Sequence, residues 1–117
     1  MNNTLTSLSE EFPDLYKGFQ GFQCRDGWYD ILFDLSVDLC WLTLEDISFR
    51  AVQVKEKFGG LRFYVTHETK EVTEAIREAE DRCGETCEWC GKPGQPTKDH
   101  RWFLTLCETH KNELGRT

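Results

Sequence analysis

The residues of this chain best suited to chemistry are three cysteines and a histidine in its last third. Cys87 and Cys90 have two residues between them, Cys107 and His110 repeat that spacing, and sixteen residues separate the pairs. Three thiolates and one imidazole at these spacings form a tetrahedral ligand set for one Zn2+. Four protein ligands leave no position for substrate water, so the expected ion is structural. Gly91 suits the exit from a Cys87-x-x-Cys90 knuckle, Pro93, Gly94 and Pro96 favour a bent connection, Arg101 to Leu106 reads as a strand, and Cys107 and His110 open a short helix ending near Gly115. Together these elements predict a treble-clef or zinc-ribbon module over residues 84–117.

Between the two pairs stands Asp99-His100. Cys-x-x-Cys, Asp-His and then Leu-Cys-x-x-His-Lys resembles the shell of an HNH nuclease, in which Asp-His serves general-base and hydroxide chemistry. The likeness stops there: only six residues separate His100 from Cys107, Asn112 follows the second pair, and no histidine follows His110. Asp99 and His100 are therefore expected to be hairpin-surface residues, and the chain to be no enzyme. Cys83 lies four residues before Cys87 and could compete as a ligand, whereas Cys24 and Cys40 have no His or Cys at ligand spacing. Cys83 completes an apolar helical stripe and is expected in the core, with Cys24 and Cys40 as structural or bystander thiols.

Two surfaces carry charge in a pattern. Asp26, Asp30, Asp34 and Asp38 recur every fourth residue, about 6 Å apart along a helix and close to a phosphate repeat. Such a stripe costs the helix a few tenths of a kcal/mol per pair, and it could imitate phosphates toward a basic protein. A solvated face, or one neutralised by Lys55, Lys57 and Arg62, is the plainer reading. Those cations lie with Tyr64 on one face of an expected hairpin, where they offer a surface for single-stranded nucleic acid. Trp89, inside the knuckle, is a candidate partner-binding residue unless the chain itself covers it.

The elements that must position these groups follow from periodicity. Ser7-Leu8-Ser9-Glu10 has the form of a capping box for a weak helix over 7–17, limited by Pro13. Gly18, Gly21 and Gly27 punctuate an irregular segment, after which Asp26 is expected to cap a helix with Ile31, Leu32, Leu35, Leu39 and Leu42 on its buried face. Val52 and Val54, then Phe58-Gly59-Gly60, then Leu61, Phe63 and Val65 predict a β-hairpin with one apolar and one basic face. Val72, Ala75, Ile76, Ala79 and Cys83 return to helical spacing, ended by Gly84.

At 117 residues with 14 bases and 21 acids, the chain is acidic, and nine of the acids against three bases fall in residues 1 to 50. That balance disfavours simple attraction to phosphate backbones. No stretch is apolar enough to span a membrane, and the N-terminus does not read as a signal peptide, so a cytoplasmic protein with no membrane partner is expected.

The run Val52-Gln53-Val54-Lys55-Glu56-Lys57-Phe58-Gly59-Gly60-Leu61-Arg62-Phe63-Tyr64 and the segments Asp26-Gly27-Trp28-Tyr29-Asp30-Ile31, Thr86-Cys87-Glu88-Trp89-Cys90-Gly91 and Thr105-Leu106-Cys107 resemble a family of small bacterial and phage or prophage proteins. The resemblance spans about residues 12 to 112 and implies a C-terminal zinc ribbon and a mobile-element context. We expect an α+β fold, with helices packed on a β-hairpin over residues 1–83 and the zinc module over 84–117. Its expected function is to bind a host or defence protein as an accessory or inhibitory factor; nucleic-acid binding through the zinc module and hairpin is the alternative, and HNH-like metal-dependent cleavage ranks third.

Overall fold

The computed structural model describes residues 4–99 and 102–114, with the main chain alone for 97–99, 102, 103 and 114. Helix α1 spans Leu5–Glu11, two residues earlier than the capping box suggests. The Ser7 hydroxyl donates to the Thr4 carbonyl at 2.7 Å instead of capping a helix that begins after it. The first N–H of α1, on Leu5, donates to Asp26 Oδ1 at 3.0 Å. Asp26 thus caps the helix before it in sequence, not the one after, because folding brings the two N-termini together. A first N–H has no partner within its own helix, and a carboxylate is well placed to accept it.

A 3-10 turn at Asp26–Trp28 leads directly into α2, Tyr29–Leu42. Ile31, Leu32, Leu35 and Leu39 are buried as their spacing demands, and Trp28 is fully enclosed. Leu42 departs from the expected stripe: it is the last residue of the helix and is 46% exposed. Ser36 sits in the buried face without penalty because its hydroxyl donates to the Leu32 carbonyl at 2.7 Å and pairs with the Tyr16 hydroxyl at 2.6 Å.

The hairpin is β2, Ala51–Lys57, against β3, Gly60–Val65. Phe58 and Gly59 form its two-residue loop, both at positive φ (55° and 82°) as a primed turn requires. Glu56 Oε2 accepts the Gly59 N–H at 2.8 Å and braces that loop. One expectation is corrected: pairing steps from Ala51↔Val65 to Gln53↔Tyr64, so Val52 is bulged out and exposed while Ala51 and Val54 point to the core. A two-residue strand, β1 at Phe22–Gln23, adds parallel to β2 and was hidden in the glycine-punctuated segment. Too short to show a period, it is held by its neighbour.

Helix α3, Lys70–Cys83, is capped by the Thr69 side chain accepting the Val72 N–H at 3.2 Å. Its buried residues Val72, Ile76, Ala79 and Cys83 join α2, the hairpin and Leu5, Leu8, Leu15 and Tyr16 in one core. Strand β4, Gln95–Asp99, pairs antiparallel with β5, Trp102–Leu106, and α4 spans Glu108–Leu114. The fold is therefore mixed α and β: helices on one side of a small sheet, then a second, two-stranded sheet beside a Cys/His cluster. No helix is long and apolar enough to cross a membrane among the described residues.

Candidate metal centre

Cys87 enters a tight turn in which its N–H donates to the Lys92 carbonyl at 2.7 Å and its carbonyl accepts the Gly91 N–H at 2.9 Å. Gly91 leaves that turn at φ 82°, a conformation that favours glycine. Cys107 follows β5 directly and its carbonyl accepts the Lys111 N–H at 2.9 Å, so α4 begins on it and delivers His110 one turn later. These two devices bring together all four expected ligands, and no fifth among the described residues: the donor atoms of Cys87, Cys90, Cys107 and His110 lie within 4.8 Å of one another.

Their separations test the fit of an ion. With Zn–S of about 2.3 Å and Zn–N of about 2.0–2.1 Å, tetrahedral edges are about 3.8 Å between sulfurs and about 3.5 Å from sulfur to nitrogen. Cys90 Sγ and Cys107 Sγ are 3.7 Å apart, and His110 Nδ1 lies 3.5 Å from Cys87 Sγ and 3.2 Å from Cys107 Sγ. The six cysteines form no disulfide. The His110 backbone N–H, as the leading cause, lowers the Cys107 thiol below its ordinary range, toward the thiolate that ligation needs. An ion in this set would tie the knuckle to α4 and supply no open position for a reaction.

The knuckle is seated on the rest of the chain by main-chain contacts. Trp28 Nε1 donates to the Thr86 carbonyl at 3.0 Å, Gly27 N–H to the Glu88 carbonyl at 2.8 Å, and Glu88 N–H to the Thr105 carbonyl at 3.0 Å. From the other side Thr105 Oγ1 donates to the Gly59 carbonyl at 2.6 Å, and Gly59 lies against the Leu104 main chain. The Lys57-Phe58-Gly59-Gly60 run is thus the tip on which β5 rests.

Glu88 escaped sequence reasoning, since a charged residue in a knuckle reads as solvated. It is buried, and its Oε1 has no hydrogen-bond partner among the described residues. Burial pushes its carboxyl up to about 7; nearby Glu56 adds to the rise and Arg25 opposes it. Trp89 is half-covered by the chain itself: the Arg25 guanidinium lies 3.9 Å from its ring centre, and His110 stacks with it at 6.0 Å.

The remaining candidates separate. In the aspartate stripe, Asp26 caps α1 and Asp34 accepts from Arg82 at 3.1 Å, whereas Asp30 and Asp38 are exposed. The neutralising cation is Arg82 of α3, not Lys55, Lys57 or Arg62, because α3 packs beside α2 whereas the basic face of the hairpin turns away from the helices. That face does gather as expected, with Lys55 paired across the strands with Arg62 and its amine 5.9 Å from the Tyr64 ring centre. Cys83 is buried in the main core, and Cys24 and Cys40 pack against it. Burial pushes the Cys24 thiol up to about 12. Asp99 ends β4, and its side chain lies outside the described residues together with His100. No protein-family model matches the chain, and no curated protein or solved structure matches it.

Proposed function

We propose that Cys87, Cys90, Cys107 and His110 hold one structural Zn2+ in a treble-clef arrangement, and that the chain is a protein-binding accessory or inhibitory factor, not an enzyme. One observation carries the reading: the end of α2 and the turn after it leave Trp41, Leu42, Leu44 and Ile47 in water, Trp41 at 71% and Ile47 at 91% exposure. Large apolar side chains gathered on a surface mark partner contacts, and tryptophan is prominent at the centres of protein interfaces. Exposed Asp30 and Asp38 put carboxylates on the same helix, which suits a basic protein partner. The resemblance to mobile-element proteins supports a host or defence protein as that partner. Affinity purification with and without nuclease treatment tests the reading. A protein retained after nuclease treatment is expected; recovery of nucleic acid alone would overturn it.

The hairpin favours a second reading, because Lys55, Arg62 and Tyr64 do share one face. Single-stranded nucleic acid would stack on Tyr64 and lie along the cations. Its test is oligonucleotide binding that is lost in Lys55→Glu and Arg62→Glu variants.

A further inference from the structure

Helices α2 and α3 leave a groove of about 390 Å³ between them. Trp41 and Leu42 from the end of α2 and Ala75 from α3 form its apolar lining. Its charged lining is wholly acidic. Asp38 contributes from α2, and Glu71, Glu74 and Glu78 from α3. Among the described residues no cation pairs with any of these four carboxylates; Arg82 is engaged by Asp34, one turn of α2 away from Asp38. Two helices thus present like charges beside an apolar strip that water covers, an arrangement that is unfavourable in the free chain and is relieved by cations supplied from outside.

We propose that this groove binds a basic amphipathic helix of a partner protein. The helix's apolar stripe rests on Trp41, Leu42 and Ala75, and its lysines or arginines meet Asp38, Glu71, Glu74 and Glu78. The inference rests on the protein-binding reading and adds the surface and the partner's chemistry. Glu71, Glu74 and Glu78 recur at three- and four-residue steps, so they line one face of α3 over about 10 Å. A third helix laid along the groove would offer its own side chains at the same steps, which is how amphipathic helices are read in helical grooves. Nucleic acid and anionic lipid carry the wrong sign. A second copy of the chain carries its clustered Lys55, Lys57 and Arg62 on a strand hairpin; such a head-to-tail contact would propagate into open assemblies.

The zinc-loaded, isotope-labelled chain titrated with a synthetic amphipathic peptide of leucine and lysine tests the proposal by amide chemical shifts. Shifts are expected at residues 38–42 and 71–78, with saturable binding that weakens as salt rises. A scrambled peptide of the same composition should bind less tightly. Glu74→Lys together with Glu78→Lys, and separately Trp41→Ala, should each weaken binding about tenfold or more, while Glu10→Gln, an exposed carboxylate on α1, should not. Metal content and melting temperature confirm that the variants fold. Equal binding of the scrambled peptide, shifts centred on the hairpin or knuckle, unchanged affinity in both groove variants, or self-association that the charge reversal abolishes would each overturn the proposal. Should a protein be captured equally well by wild type and groove variants, the protein-binding reading stands and the groove assignment falls.

Discussion

Gly27 lies against the main chain of Glu88: its N–H donates to the Glu88 carbonyl at 2.8 Å, and a Cβ at Gly27 would stand 2.4 Å from that same oxygen. This contact seats the Cys87-x-x-Cys90 knuckle on the turn that opens α2. Two backbones approach so closely only where one of them carries no side chain. Gly27→Ala should therefore cost about 1–3 kcal/mol, as overpacking does, by forcing knuckle and turn apart. Gly60→Ala, whose Cβ would meet nothing nearer than 3.5 Å, is the control. Chemical denaturation reads both, and equal stability of the Gly27 variant and wild type would refute the close approach.

Metal binding should be stoichiometric and linked to folding, because the binding energy of a structural site is folding energy. Elemental analysis is expected to find close to one zinc per chain. Cys90→Ser and Cys107→Ser should lose metal and melt earlier. Cys24→Ser should do neither, since Cys24 packs beside the main core and is no member of the cluster. A chelator should also perturb Trp89 fluorescence through its stacking on His110. Full stability without metal would sink the assignment.

Thr105 is fully buried and its hydroxyl donates to the Gly59 carbonyl at 2.6 Å, joining β5 to the hairpin tip. Thr105→Val keeps the shape but leaves that carbonyl without its donor, at a cost of about 1–3 kcal/mol. Thr105→Ser retains the donor and should lose less of that contact. A valine variant as stable as wild type in thermal melts would show that the hydrogen bond contributes nothing net.

Asp46 accepts from Ser48 and pairs with His67, and these contacts, the Ser48 hydroxyl first, lower its carboxyl from the ordinary 3.8 to about 2. A folded carboxyl depressed below its unfolded value stabilises the fold above the unfolded value and loses that contribution as pH falls toward the folded one. Wild-type stability should thus decline between about pH 4 and pH 2 more steeply than that of Asp46→Asn. The group is exposed, so the difference is small. Acid titrations followed by circular dichroism check it, and parallel curves would refute it.

What the sequence by itself determined about this protein is whatever lies within one turn or one strand pair. Cys87 with Cys90 and Cys107 with His110 are each confined by their own local turn, so spacing alone identified the cluster that the fold assembles. Leu32, Leu35 and Leu39 declared α2 by the helical period, and Leu61 with Phe63 declared β3 by alternation, because each element repeats its buried face along the chain. Tertiary structure alone decided which surfaces meet. It gave Asp26 to α1, Arg82 to Asp34, Gly27 to Glu88 and Gly59 to β5, it set the bulge at Val52 and the pairing of β1, and it opened the groove at Trp41. Each of these depends on residues distant in sequence being brought to contact distance by the collapse of one core. The period of a single segment records that it has a face to bury, and carries no mark of the partner that will cover it.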